Sequence, residues 1–562
     1  MSTRIPLVWG DGLRGYWDHG LVMLHAADDL FRTACRYEID HVENRERAWA
    51  WNEGALYVIP GTLNERYAQI RDVIARMPWS VTFCLSDEEA RFPVGEMPGI
   101  VWHQHAWPGR PSPVPIDHRM PNGIHHDTRE WLRQIRNGGE RDYVWAFLGQ
   151  SGHPHRQRLF AELRVLEAVH GKTFLGETPG FSQGSPKADY YRMLLRTKIA
   201  PCPSGPMLAD SFRVYESLEC GALPVVNRDS PHPVNAGHDL WPTYFAEVPP
   251  FPRVWGWDEF AGIVSRLVAD PVELQRQTNA ATAWWIRQKR RIANQINDDI
   301  QRASGIAPTP RSALAGRVTV LMPSSPIPSH PSLDIIADAV KRIRDVPELA
   351  GCEILILLDG VRVEQSDRAA SYEEYKRRLI DACNWSDDFA GCMPVVFDKH
   401  THQVAMTRAA LSMVRTPLVY FVEHDTYAFG DIPWQQIADA MSDAVPVVRF
   451  HIFHTVLPEH QHLYHEREEI GGVPLVRTTQ WSQRPHLALT SYYRWLLDTY
   501  TREDDISMIE DRVHGPVENE PWERFRVRVY APEGDMTRSQ TSNGRQGDPK
   551  MAMWFDGQWR NP

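Results

Sequence analysis

The chain is predicted to be an α/β protein: a pair of Rossmann-type units followed by a third, different α/β domain. Three observations carry the prediction. A length of 562 residues exceeds what one core organises. Short apolar runs alternate with helical stretches along most of the sequence, the pattern of sheets flanked by helices. One stretch from Ser304 to Gly316 (SGIAPTPRSALAG) is rich in Pro, Ala, Ser and Gly and separates two regions that both open on strand signals. The predicted layout is residues 1–303, a linker at 304–316, a domain at 317–532 and a tail at 533–562.

The first region divides into units at about 1–125 and 140–303. Leu56-Tyr57-Val58-Ile59 and Ser80-Val81-Thr82-Phe83-Cys84-Leu85 read as strands of the first unit. Trp107 to Gly123 holds many prolines and reads as connector. The second unit starts with the strand Tyr143 to Gly149, followed by a Gly-containing turn and Arg156 near a helix start. Strand, glycine turn and arginine at a helix start form a phosphate-facing arrangement. The run Tyr190 to Val226 (YYRMLLRTKIAPCPSGPMLADSFRVYESLECGALPVV) joins a basic helix end, a turn, an acidic helix and a buried strand. Lys198 and Arg213 suit a diphosphate, and Glu216 suits both hydroxyls of a ribose. Gly221 permits the tight helix-to-strand turn. An ordinary αβ unit would share much of this pattern. Helical sequence from about Trp257 to Ile300 closes the region.

The 317–532 domain opens with the strand Val318 to Ser325, then a helix from about Leu333 to Arg344. The strand Cys352 to Leu358 ends in Asp359-Gly360. A helix over about Ala405 to Val414 precedes the strand Pro417 to Val422, which runs into Glu423-His424-Asp425. Ligands in open α/β sheets sit at the carboxyl ends of strands. Two carboxylates separated by one residue after a strand are expected on one side, where they share a hard cation.

Composition bounds the alternatives. A hydrophobic fraction of 42% and a charged fraction of 24% are those of a soluble globular protein. The formal net charge of −11 disfavours sequence-independent nucleic-acid binding. Seven scattered cysteines without a CxxC pair favour reduced thiols. The opening MSTRIPLVWGDG lacks a basic region followed by an apolar stretch, and no run approaches the roughly 18 apolar residues of a membrane span. A soluble cytoplasmic protein is the expectation. The abundance of tryptophan, 21 residues, suits sugar stacking but also ordinary cores.

On Tyr190 to Val226, and on Gly149 with Arg156, the first region resembles the donor-binding half of exostosin-like glycosyltransferases of GT-B fold. On Asp359, the Met406-Thr407-Arg408-Ala409-Ala410-Leu411 segment and Glu423-His424-Asp425, the later domain resembles family 2-like glycosyltransferases of GT-A fold. The resemblance implies a nucleotide-sugar donor, a UDP-sugar foremost, and a glycan or protein acceptor. It implies GT-B donor contacts at Gly149, Arg156, Lys198, Arg213 and Glu216. GT-A donor contacts are implied at Pro323, Asp359, Arg408, Glu423 and Asp425. A divalent metal, Mn²⁺ or Mg²⁺, is implied at Glu423 and Asp425, with His514 completing the set. Two departures stand out: Glu replaces the first Asp of the metal motif, and the Asn after the family's Arg is not matched. The later acidic pair that supplies a general base maps to Asp511, with Glu510 second and Asp504-Asp505 as rivals.

No base stands out in the first region, where Asp11, His19 and His103 are polar residues near predicted strand ends. The histidines His451, His454, His460, His462 and His465 lack cysteine partners and an HExxH pattern, so they read as acceptor-cleft or solvated residues rather than a zinc site. The tail reads either as a lid or as a surface-packed segment. Two other functions fit parts of the sequence: glycosylation of a modified DNA base, and a non-catalytic sugar- or nucleotide-binding scaffold.

Overall fold

The computed structural model describes residues 4–9, 35–42, 45–60, 65–87, 92–104, 113–124, 127–136, 139–167, 169–180, 184–541, 553–555 and 558–560. The chain forms two compact units, Met1–Thr309 and Pro310–Pro562. The division falls inside the predicted 304–316 linker.

Unit 1 contains two five-stranded parallel sheets. The first joins β1 (Arg4–Trp9), β2 (Glu38–Val42), β3 (Ala55–Pro60), β4 (Ser80–Leu85) and β5 (Ile100–His103) in the order β2-β1-β3-β4-β5. All four pairings are parallel. Every residue of β4 is buried, as a strand covered on both faces requires.

The second sheet joins β6 (Tyr143–Gln150), β7 (Phe174–Thr178), β8 (Thr197–Cys202), β9 (Leu223–Asn227) and β10 (Arg253–Val254) in the order β10-β9-β8-β6-β7. It too is wholly parallel. The chain leaves β6 for β7 on one side and reaches β8 on the other. The crevice between β6 and β8 is therefore a topological switch point.

Five helices of this unit matter to the site: α1 (Thr128–Ile135), α2 (Pro154–Leu166), α3 (Lys187–Leu195), α4 (Phe212–Glu219) and α5 (Pro271–Ser304). The predicted closing helix is broken at Asp270-Pro271, where the Asp270 carboxylate accepts the Glu273 N–H at 3.0 Å and starts α5 afresh. Helix α5 packs against both sheets of the unit and ends at Gly305, φ 72°.

Unit 2 is organised on one nine-stranded mixed sheet. Its strands are β11 (Val318–Ser324), β12 (Glu353–Leu358), β13 (Cys392–Val396), β14 (Leu418–Phe421), β16 (Val447–Phe450), β17 (Tyr464–Ile470), β18 (Val473–Thr478), β19 (His486–Leu489) and β20 (Val527–Tyr530). The order is β13-β12-β11-β14-β19-β16-β20-β18-β17. Alternate residues of β11 and β12 enter two apolar layers, Val320, Met322 and Ile356 on one face and Leu321, Leu355 and Leu357 on the other. Strand β19 runs antiparallel to both β14 and β16, while β16 pairs parallel with β20. The carboxyl ends of β11, β12, β14, β16 and β20 therefore share one sheet edge with the start of β19.

A two-stranded ribbon, β15 (Thr426–Ala428) with β21 (Ser539–Thr541), pins the first part of the predicted tail beside the acidic motif. Most of the tail beyond Thr541 lies outside the described residues. Helices α6 (His402–Met413), α7 (Thr490–Tyr500) and α8 (Ile509–Asn519) complete the elements that shape this edge. No helix among the described residues is long and apolar enough to cross a membrane.

Candidate functional sites at two sheet edges

The cavity of unit 1 encloses about 1000 Å³, including space open to solvent, at the β6/β8 switch point. Its lining includes Gly149, Arg156, Arg213 and Glu216. They arrive from three elements: the end of β6, the start of α2 and one face of α4. Gly149 lies near the end of β6, where an added Cβ would sit 2.9 Å from the Phe147 ring and 3.2 Å from Arg213 Nη2. Its lack of a side chain lets Arg213 approach. Arg156 sits in the first turn of α2. Arg213 and Glu216 share a face of α4, three residues apart.

Arg213 donates to the Leu148 carbonyl at 2.6 Å and stacks over the Phe147 ring at 4.7 Å. That leaves the rest of a planar five-donor fork for a ligand. Burial, with Arg213 nearby, lowers the Arg156 guanidinium to about 10, which still leaves it charged at neutral pH. Arg156 Nε and the hydroxyl of Ser211, at the start of α4, are buried without hydrogen-bond partners. Two cations, orphaned donors and a helix N-terminus make an anion-binding surface.

Glu216 is 4% exposed and accepts the Tyr190 hydroxyl at 3.0 Å and the Tyr191 hydroxyl at 3.1 Å. Burial raises its carboxyl to about 7, against the lowering pull of Arg213 and the two tyrosines.

Lys198 is not brought into this group. On β8 it is the exposed residue between Thr197 and Ile199, because side chains alternate along a strand. Lys187 of α3 lines the cavity instead, with its ammonium 2.6 Å from Asp127. His103 closes β5 with its Nε2 3.5 Å from Asp87 Oδ2, both side chains buried. Asp11 and His19 lie outside the described residues.

The unit 2 cavity encloses about 660 Å³, including open space, where β11, β12 and β14 end. Pro323, Asp359 and Glu423 line it. Asp359 does more than face the cavity. Its Oδ1 accepts the N–H groups of Gly360 at 2.8 Å and Thr401 at 2.7 Å, and its Oδ2 that of His402 at 3.2 Å. His400 Nδ1 lies 2.9 Å from Oδ2. The carboxylate thus anchors the start of α6 and holds His402 at φ 62°, a left-handed conformation costly for a residue with a Cβ. Burial lowers the His402 imidazole to about 4, with Arg362 and His400 adding to the effect.

The acidic motif is a tight turn rather than an extended strand end. The Thr426 N–H bonds to the Glu423 carbonyl at 3.1 Å, closing a bridge between the two residues. Period-two alternation therefore fails here. Glu423 and His424 line the cavity, whereas Asp425, 4% exposed, is not among its lining residues. Glu423 accepts a hydrogen bond from Gln403. His424 Nδ1 lies 3.2 Å from the Pro323 carbonyl, so that nitrogen carries the proton.

His514 is occupied elsewhere, its Nδ1 3.0 Å from the Trp481 carbonyl. Among the described residues no group of three or more His, Cys, Asp or Glu side chains is arranged to hold a metal ion. The expected three-ligand centre of Glu423, Asp425 and His514 does not fit this geometry.

Arg408 is likewise turned from the cavity. It pairs with Asp498 and donates to the Leu497 carbonyl at 2.8 Å and to Thr501 Oγ1 at 2.9 Å, tying α6 to α7. Of the acidic pair in the first turn of α8, Asp511 is exposed and Glu510 is half-buried. Glu510 Oε2 accepts the Gln483 N–H at 3.1 Å. Neither Asp511 nor Glu510 is among the residues lining the cavity. Of the rivals, Asp504 is exposed and Asp505 pairs with Arg512 at 2.8 Å.

Among the five histidines, His451 Nε2 lies 3.4 Å from the Thr455 carbonyl and His454 Nδ1 lies 3.0 Å from Asp535. Sequence reasoning passed over Tyr190 and Tyr191 in the first cavity, and Arg362, His400, His402 and Gln403 in the second. The paired tyrosines and the Lys399-His400-Thr401-His402 run after β13 were the available signals.

No family model matches the chain, and no curated protein matches it. Among solved structures, similarity is found to a cytidylyltransferase from Leptospira borgpetersenii serovar Hardjo-bovis, at 13% identity over 39% of this chain and 77% of that one, TM-score 0.24. TarS of S. aureus matches at 14% identity over 39% of this chain and 36% of its own, TM-score 0.25. The mannosyltransferase PcManGT from Pyrobaculum calidifontis, in complex with GDP-Man and Mn²⁺, matches at 14% identity over 39% and 57%, TM-score 0.21. Likeness this remote carries no functional conclusion. The chain itself is an α/β protein with Rossmann-like parallel sheets in unit 1 and a cavity at a sheet edge in each unit.

Proposed function

We propose that the chain is a glycosyltransferase that takes sugar from a nucleotide-sugar donor, a UDP-sugar foremost, and passes it to a glycan or protein acceptor. One observation carries the reading: Arg156, Arg213 and Glu216 converge with the α4 N-terminus in one cavity at a switch point. In that cavity the guanidinium groups and helix N-terminus take the diphosphate, and the ionised Glu216 carboxylate takes the ribose hydroxyls. Unit 1 acts as a GT-B-like donor module.

Unit 2 is the second, GT-A-like transferase site. Its donor lies along the edge formed by Pro323, Asp359 and Glu423, and Glu510 is the general base. In the transfer step, Glu510 takes the proton of an acceptor hydroxyl. That oxygen bonds to the anomeric carbon, and the bond from that carbon to the diphosphate oxygen breaks. The nucleoside diphosphate leaves with the electron pair. Turnover at this second site is expected to depend on a divalent cation, Mn²⁺ or Mg²⁺.

The test is a hydrolysis and transfer screen with several nucleotide sugars, with Mn²⁺, with Mg²⁺ and with EDTA. Turnover of at least one donor that is lost in Glu510→Gln supports the second site. Donor binding lost in Glu216→Ala supports the first. A chain that neither binds nor turns over any nucleotide sugar rules the reading out.

A further inference from the structure

Glu216 does not stand alone at the floor of the first cavity. Each of its oxygens accepts one tyrosine hydroxyl, Tyr190 on Oε2 and Tyr191 on Oε1. An ionised carboxylate offers about four lone-pair directions. Two are taken, one on each oxygen, so one acceptor direction per oxygen is left for a ligand. That is the complement of two neighbouring hydroxyls.

The two tyrosines are not equivalent. Tyr190 is also stacked against the Arg213 guanidinium at 5.7 Å. Tyr191 is 1% exposed, and its oxygen lies 2.7 Å from the Thr128 hydroxyl at the first residue of α1, itself 0% exposed. A phenol has one proton. With that proton on Glu216, the Thr128 hydroxyl is the donor to the Tyr191 oxygen. The chain Thr128→Tyr191→Glu216 then runs in one direction, and each bond polarises the next. Helix α1 is held to the same elements twice more, by Lys187–Asp127 at 2.6 Å and by Arg129–Glu219 at 2.7 Å.

We infer that Tyr191, backed by Thr128, is a positioning residue that aims the Glu216 carboxylate at the ligand and favours its ionised state. The inference rests on the donor-site reading of this cavity and adds a residue to it.

The other groups facing Glu216 are accounted for. Arg213 and Cys220 come from α4 or its end, Tyr190 and Lys187 from α3, and Cys202 from β8. Burial raises both thiols to about 12, so neither titrates near neutrality. Glu216 is the carboxyl among these groups that burial raises to about 7, and Tyr191 bonds to it directly; Asp210, beside Ser211 at the start of α4, is raised by burial to about 6, and Glu216→Gln separates the two.

The experiment is isothermal titration of the full chain with UDP-glucose from pH 5.5 to 8.5. Its diphosphate has no proton to lose in that range. The heat lost in Arg213→Met assigns the unit 1 site. Wild type is expected to bind more tightly as pH rises through about 7, and Glu216→Gln to show a flat profile. Tyr191→Phe removes one hydroxyl. Its midpoint is expected to move up by about one pH unit, with affinity about five- to tenfold lower at pH 7 and close to wild type at pH 8.5. Thr128→Val keeps the tyrosine and removes its donor, and is expected to shift the midpoint the same way by less. It also serves if Tyr191→Phe does not fold.

A Tyr191→Phe profile that superimposes on wild type overturns the inference while leaving the donor site standing. So does an equal loss of affinity at every pH, the mark of a structural role. Absence of heat in wild type with UDP-glucose and with every other nucleotide sugar of the donor screen removes the donor-site reading, and this inference with it.

Discussion

The carboxylate of Glu510 and the backbone N–H of Gln483 meet at 3.1 Å, joining the first turn of α8 to the loop that enters β19. His514, one turn further along α8, bonds to the Trp481 carbonyl of the same loop at 3.0 Å. Residues four apart on a helix share a face. The face that carries Glu510 is thus pinned against the loop, and Asp511, the next residue, is rotated to solvent. With Glu510 as the proposed general base, Glu510→Gln should lower transfer turnover by about 100-fold or more, the usual range for a lost general base. Asp511→Asn should stay within about threefold of wild type. Steady-state kinetics on the two variants checks this, and the opposite ranking would restore Asp511 as the base.

Glu216 makes stability depend on pH. Its carboxyl is raised from 4.5 to about 7 by burial, so the folded chain holds a proton that the unfolded chain releases. Stability should accordingly be highest below about pH 4.5 with respect to this group, fall as pH rises towards 7, and level off above it. The loss is on the order of 3 kcal/mol at most. Glu216→Gln should remove this slope. Urea denaturation of both proteins at pH 5 and pH 8 measures it, and parallel losses in the two would show that the group is not responsible.

Arg156 and Arg213 should contribute to anion binding in different ways. Arg213 keeps one Nη on the Leu148 carbonyl, at 2.6 Å, and is fixed in place. Its replacement by Met should weaken UDP binding by about 10- to 100-fold, the worth of a charge-assisted bidentate contact. Arg213→Lys should recover little of that, because an ammonium lacks the planar fork. Titration calorimetry at two salt concentrations would separate the lost contact from a general loss of positive charge.

Asp359 should behave as a structural residue as well as a cavity wall. Three backbone N–H groups depend on its carboxylate. Asp359→Ala should cost about 2–4 kcal/mol and expose the 399–402 segment to proteolysis. Asp359→Asn should cost less, because an amide oxygen at Oδ1 still serves Gly360 and Thr401. Gly360→Ala offers a second check: an added Cβ would fall 2.1 Å from the Lys399 carbonyl carbon, against backbone that has no room to yield. Tm measurements on the three variants test the ranking.

The order of elements was legible along much of the chain. Ser80–Leu85 and Val318–Ser324 are strands where buried apolar runs placed them, and the Asp359, Glu423 and Tyr143–Gly149 strand ends all lie at cavity-bearing edges. Part of the first site was legible too. Gly149, Arg156, Arg213 and Glu216 converge because turn glycine, helix start and i,i+3 spacing are local properties of the sequence. Residues one position away from the right phase were not legible. Lys198 faces solvent beside a buried Ile199, Arg408 faces α7, and Asp511 is exposed where Glu510 bonds to the Gln483 N–H.

The sequence by itself determined where strands end and helices begin, because apolar periodicity, glycine turns and helix starts act over a few residues. Only the tertiary structure decided which polar side chain at those ends faces a cavity. Successive residues diverge by about 100° on a helix and 180° on a strand. A turn such as Glu423–Thr426 obeys neither rule, so its side chains take their directions from the packing around them. The same holds for the tyrosine pair on Glu216: nothing local in Tyr190-Tyr191 announces that Thr128, 63 residues earlier, will stand behind one of them.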